Sequence, residues 1–128
     1  MQESISAARQ AVLSLAEERY GSEPDYPWES YPENMVLRRA DNRKWYAALL
    51  RAPRHSLGLS GEGTIDVLNV KCDPAASGSL RLHPGVCPAY HMNKTHWVSI
   101  LLDGTVELPF IAVLLDQSYD LAGGASRK

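Results

Sequence analysis

The chain has very little cysteine: Cys72 and Cys87 are the two in 128 residues. That is too few for a disulfide framework. It fits a reducing compartment, where a thiol usually behaves as a small buried hydrophobe. Long apolar runs are missing too. A run such as Trp97 to Leu102 falls far short of a bilayer span, and the first segment lacks the charged-then-apolar layout of a secretory signal. The expectation is a cytoplasmic protein with no membrane partner. Charge of one sign is scarce as well: the net charge is -2 and the sequence pI about 6.1. This excludes the strongly basic domains that hold nucleic acid by counterion release alone, so any such contact needs a local patch. Internal repeats, low-complexity tracts and interdomain linkers are absent. Cys72, His83, Cys87, His91 and His96 include no Cys-x2-Cys or His-x3-His unit, so no metal and no cofactor is expected. Neither thiol has a local sequence marking it as an activated nucleophile. No catalytic residue is assigned and the chain reads as non-enzymatic.

What is present is an ordinary globular composition, 45% hydrophobic and 22% charged, at the length of one domain spanning residues 1–128. Apolar Ile5, Ala8, Val12, Leu15 and Ala16 recur at helical spacing and predict a helix over Ser4 to Tyr20, stopped by Gly21. Ser22 to Asn34 carries Pro24, Pro27 and Pro32 among Tyr26, Trp28 and Tyr31, which predicts a packed loop whose aromatics lock it onto a sheet. The isomer at Pro27 and at Pro32 is left open. Met35 to Arg39 and Lys44 to Leu50 read as a hairpin, and Ile65 to Val70 as a third strand. Asp73-Pro74 opens a short helix that ends before His83. Ala89 to Leu102 divides into two strands around a four-residue loop, Met92 to Thr95. Leu108 to Leu121 is a helix with Phe110, Ile111, Val113, Leu114 and Leu115 as packing candidates, and residues 122–128 form a frayed, disordered tail. The class is α+β, with an antiparallel sheet covered by helices on one face and partly open on the other.

Two groups of side chains are candidates for function. The densest polar and aromatic segment is His91, Asn93, Lys94, His96 and Trp97. Across a four-residue loop His91 and His96 would face each other, able to hold a metal, share a proton or bind a phosphate, or else to cap the hairpin through backbone carbonyls. The second group is basic: Arg38, Arg39, Arg43, Lys44, Arg51 and Arg54, opposed locally only by Asp41 and extended by Lys71 and Lys94. Beside Trp45 and Trp97 these could hold phosphate while bases stack on the rings; a solvated strand face with lysines guarding an edge is the plainer reading. Turn chemistry accounts for Asn42, Asn69 and Asn93.

Four segments carry a resemblance that covers nearly the whole chain: Tyr26-Pro27-Trp28; Asn42-Arg43-Lys44-Trp45-Tyr46-Ala47; Leu68-Asn69-Val70-Lys71-Cys72-Asp73-Pro74; and Tyr90-His91-Met92-Asn93-Lys94-Thr95-His96-Trp97. Together with the closing Leu115-Asp116-Gln117-Ser118-Tyr119-Asp120-Leu121 they resemble the MmcQ/YjbR family of small bacterial proteins. The resemblance implies a two-layer α-β(3)-α-β(2)-α fold. It also implies similarity to the DNA-binding domain of a phage transcription factor and to frataxin-like (CyaY) and secretion-chaperone-like folds, hence the label "DNA-binding protein-like". Fold alone does not fix function. The expectation is a binding module that takes DNA on the open sheet face and the His91 to His96 hairpin. The alternatives are a protein-interaction or chaperone-like module, dimerising through the sheet, and a small metal or metabolite binder at the histidines.

Overall fold

The computed structural model describes residues 7–123. Helix α1 (Ala7–Tyr20) is followed by strands β1 (Met35–Arg38) and β2 (Trp45–Pro53), a single 3-10 turn at Arg54–Leu57, and β3 (Thr64–Lys71). Then come α2 (Pro74–Leu80), β4 (Val86–Pro88), β5 (Trp97–Leu101) and α3 (Leu108–Ala122). The sheet order is β1-β2-β3-β5-β4, antiparallel throughout. This is the α+β order that the sequence predicts. The expected start of α1 at Ser4 lies outside the described residues. Among the described residues all peptide bonds are trans, including those at Pro27 and Pro32, and no helix is long and apolar enough to cross a membrane.

Local chemistry sets these elements. Val12 and Ala16 recur on one face of α1 and are fully buried there. The Asp73 carboxylate accepts from the amide of Ala75 at 2.9 Å and so caps α2, with Pro74 in its first turn. Helices α1 and α3 pack Val12, Ala16, Ile111, Leu114 and Leu115 against Leu37, Leu49, Leu68, Val70 and Ile100 of the sheet. Gly85, just before β4, has φ +87°, and a Cβ there would stand 2.5 Å from Val106 Cγ2. Only glycine suits both its conformation and its neighbour.

The pairing of β1 with β2 carries a bulge. Leu37 lies opposite Ala47, but Arg38 lies opposite Trp45, so Tyr46 is the extra residue. Tyr46 and Ala47 therefore both join the helix-side core, while Trp45 turns to the other face. Re-aiming a side chain in this way is a characteristic effect of a bulge.

Val113, a packing candidate from sequence, is exposed, and four further expectations need correction. The second sheet face is not open: Val36, Ala48, Leu50, Val67 and Leu101 are buried on it beneath Trp28, Leu57, Leu59, Tyr90 and Met92. Uninterrupted burial from Tyr46 to Leu50 is the mark of a strand covered on both faces. Second, β4 lies earlier than expected. Val86, Cys87 and Pro88 pair with Ile100, Ser99 and Val98, and Pro88, which has no amide hydrogen, ends this edge strand. Residues 89–96 thus form one long connection instead of a four-residue turn. Third, β2 continues past Leu50 to Pro53. Fourth, α3 includes Ala122, which is buried. The expected disordered tail otherwise lies, from residue 124 onward, outside the described residues.

Candidate functional site

A cavity of about 490 Å³ opens on the loop-covered face. The proline-rich loop contributes Trp28, Tyr31 and Asn34, β2 contributes Trp45, Leu50 and Arg51, and the 89–96 connection contributes Tyr90, His91 and Met92. Trp28 meets Trp45 edge to face, with ring centroids 5.6 Å apart at 76°. The Arg38 guanidinium stands 5.7 Å from the Trp45 ring. The bulge at Tyr46 is what brings Trp45 to this side.

Each of the covering segments is tied down by hydrogen bonds. Asp25 and Val36 exchange backbone bonds at 2.9 Å, attaching the proline-rich loop to the sheet edge. The Asp25 carboxylate accepts from Arg38 Nε at 2.8 Å, and that bond holds its pKa below the usual carboxylate value. Asn34 Oδ1 accepts from the amide of Arg51 at 2.9 Å, standing in for a strand partner beyond the end of β1. The 89–96 connection is fixed by a buried triangle. Asn69 and Ser99 lie opposite each other on β3 and β5, both fully buried. Ser99 Oγ donates to Asn69 Oδ1, Asn69 Nδ2 donates to the carbonyl of Tyr90 at 2.9 Å, and the amide of Tyr90 donates to Ser99 Oγ at 2.8 Å. Asn69 is therefore an interior strand residue holding a loop, which corrects its reading as a turn residue.

Beyond Tyr90 the chain turns sharply. His91 has φ +60°, a left-handed conformation uncommon outside glycine, and its ring meets Tyr90 edge to face with centroids 4.0 Å apart. Asn93 Oδ1 accepts from the amides of Thr95 (2.8 Å) and His96 (3.0 Å), which is the turn chemistry expected of it. Asn42 does the same for the amide of Lys44 at 2.9 Å. His96 is exposed, and its carbonyl accepts from the amide of Cys72 at 2.8 Å. Strand pairing stops at Pro88 opposite Val98, so the cross-strand geometry that would make His91 and His96 a facing pair is not formed. Among the described residues no group of three or more His, Cys, Asp or Glu side chains comes together as metal ligands.

The remaining candidates separate into distinct places. Lys94 Nζ donates to the carbonyl of Ala89 at 2.8 Å and lines a smaller hollow of about 260 Å³ with Ser56 and Cys87, sharing Tyr90 and His91 with the main cavity. Lys71 Nζ lies 5.1 Å from the Trp97 ring at the paired ends of β3 and β5. Arg43, exposed and with φ +63°, borders a third, polar hollow with Arg38, Ser22, Glu23 and Asp25. Lys44 is exposed at the hairpin end. The basic hairpin is more neutralised than its sequence suggests. Arg38 pairs with Asp25 (2.8 Å) and Arg39 with Asp41 (2.8 Å), Arg51 shares Asp66 (3.0 Å) with the buried Arg9, and Arg54 Nε donates to the carbonyl of Ser60 at 2.8 Å. Burial pushes both thiols, Cys72 and Cys87, above the usual cysteine value.

Of the residues singled out from sequence, Trp45, Arg51 and His91 meet at the main cavity and Lys94 adjoins it. Trp28, Tyr31, Asn34, Tyr90 and Met92 complete it without having been singled out. Trp28, for which the sequence favours packing over a ligand-binding role, packs and also lines the cavity. Tyr26 and Tyr31 are more than half exposed instead of packed. The concentration of rings in a proline-stiffened segment was the signal available for these positions.

Residues 17–121 match the protein family YjbR. The chain belongs to the YjbR family. The resemblance drawn from the His91 to Trp97 run and its companions is thereby established. The chain is similar to the uncharacterized protein YyaQ of Bacillus subtilis, 43% identical over 113 residues that span 88% of this chain and 96% of that protein. YjbR of Escherichia coli K12 is 38% identical over 56 residues, 43% of this chain and 48% of that protein. Among solved structures, the crystal structure of a Pseudomonas syringae protein superposes with a TM-score of 0.87 at 42% identity, covering 89% of this chain and 97% of that one. A Deinococcus radiodurans protein superposes with a TM-score of 0.70 at 28% identity, covering 93% and 80%. These family members share the α+β fold described above.

Proposed function

We propose that this chain is a non-enzymatic, cytoplasmic binding protein whose site is the aromatic cavity, and that it takes a planar, base-like ring from a single-stranded nucleic acid. The observation that carries the reading is the convergence of Trp28, Tyr31, Trp45 and Tyr90 around a cavity of about 490 Å³, inside the usual range of about 300–1,000 Å³ for small-ligand sites. Every base offers a π face, and stacking on an aromatic side chain contributes about 1–3 kcal/mol per base. A duplex keeps its bases stacked on one another, whereas a single strand can place one base in a recess. The raised thiol pKa values of Cys72 and Cys87 disfavour the thiolate a cysteine enzyme needs, and two free thiols suit a reducing compartment. The protein-partner alternative has less support, because the loops cover the sheet face through which dimers would form.

Tryptophan fluorescence titration tests this. A single-stranded octanucleotide should quench the emission at low salt and bind about tenfold more tightly than the same sequence as a duplex. Trp45→Leu should weaken strand binding by about 1–3 kcal/mol. If neither nucleic acid changes the emission at low salt, the reading is wrong.

A further inference from the structure

Two hollows meet at one corner of the molecule. Tyr90 and His91 line both the aromatic cavity and the smaller recess that contains Lys94 and Ser56. The first is ringed by aromatic side chains; the second carries an ammonium group and a hydroxyl. Lys94 Nζ uses one donor on the carbonyl of Ala89, and an ammonium has three, so it can bind an anion without releasing the loop. The corner itself is held in a costly shape: His91 adopts φ +60°, and such a conformation persists only where its surroundings impose it. Here the Asn69–Ser99–Tyr90 triangle on one side and the Asn93 turn on the other do so.

We propose that the unit recognised is a base together with its own phosphate, the base stacked in the aromatic cavity and the phosphate in the recess beside Lys94 and Ser56, with the sugar passing over the Tyr90–His91 corner. The inference rests on the base-stacking reading above and adds the anion and its partner. Lysine is a common phosphate ligand, acting as a point charge with rotatable donors. A hydrogen bond to a charged group contributes more than a neutral one, so the phosphate should add measurably to affinity. The chemistry is shared by a free nucleotide and by one nucleotide within a strand.

Calorimetric titrations of the whole protein with a nucleoside, its 5′-monophosphate and a tetranucleotide of the same base test it. The monophosphate should bind about tenfold more tightly than the nucleoside, and this advantage should shrink as salt rises. Lys94→Gln should abolish the advantage of the monophosphate over the nucleoside, and Lys94→Arg should retain part of it. Equal affinity for nucleoside and monophosphate, or an advantage that survives in Lys94→Gln, overturns the proposal while leaving the stacking cavity standing. Failure of nucleoside, monophosphate and tetranucleotide alike overturns both readings. A tetranucleotide that binds no better than the monophosphate assigns the site to free nucleotides; tighter binding assigns it to strands.

Discussion

Asn69 is fully buried in the middle of a central strand, where a polar side chain is costly unless its groups are satisfied. Its oxygen accepts from Ser99 and its nitrogen donates to the carbonyl of Tyr90. Asn69→Leu removes both partners at once and strands the Tyr90 carbonyl and the Ser99 hydroxyl, at a cost of about 1–3 kcal/mol. Because Ser99 also accepts from the amide of Tyr90, the two residues act as a unit. The double variant Asn69→Leu/Ser99→Ala should therefore lose less than the sum of the single variants, with a coupling of about 0.5–3 kcal/mol. Urea unfolding of the four proteins measures this directly, and strictly additive losses would show that the triangle does not act as a unit. From sequence, Asn69 looked like a strand-end residue because its partners are distant: Tyr90 and Ser99 reach it only through the register of β3 with β5.

At the scale of elements, the order of helices and strands was legible because periodicity, capping residues and turn dipeptides act locally. Asp73-Pro74 and the Ala40 to Arg43 turn are examples. What could not be read depended on pairing. The bulge that turns Trp45 outward exists only relative to β1, and β4 is so short that Val86-Cys87-Pro88 carries no alternation to detect. The two loops that cover the second face have no periodic signature either, although their aromatics were visible. The helix layer shows how such long-range contacts can be tested. Tyr20 of α1 stacks on Tyr119 of α3 with centroids 4.2 Å apart, and Tyr46 of β2 meets both edge to face. The Tyr46 hydroxyl donates to Ser22 Oγ at 2.6 Å, and burial pushes its pKa from 10.0 up to about 12. Burial and a hydrogen bond to Asp116 raise Tyr20 as well. Above pH 10 the unfolded chain loses these phenolic protons while the folded chain keeps them, so the folded state binds more protons and stability falls as pH rises. The loss should begin near pH 10 and, for Tyr46, be complete near pH 12. Tyr46→Phe should flatten the decline seen in urea midpoints between pH 10 and 12; an unchanged slope would show that Tyr46 does not titrate across the fold.

Over the whole molecule, charge decides what kind of nucleic acid can be held. The sequence places six basic residues in and after one hairpin, which invites a duplex-binding surface, yet the fold brings Asp25 to Arg38, seats Arg39 on Asp41 and has Arg51 share Asp66 with the buried Arg9. The net charge of -2 supplies no long-range attraction to compensate. Each neutralised phosphate contributes about -0.9 to the slope of log affinity against log salt for B-form DNA. If only Arg43 and Lys44 at the exposed hairpin end reach a duplex, that slope should be about -2. Titration of a short duplex between about 20 and 200 mM salt separates the two pictures. A shallow slope with weak affinity means that the ion pairs hold and that binding belongs to the aromatic cavity. A slope near -5 would mean that the arginines leave their carboxylates to engage phosphates. It would return the basic hairpin to the centre of the function and leave the stacking cavity secondary.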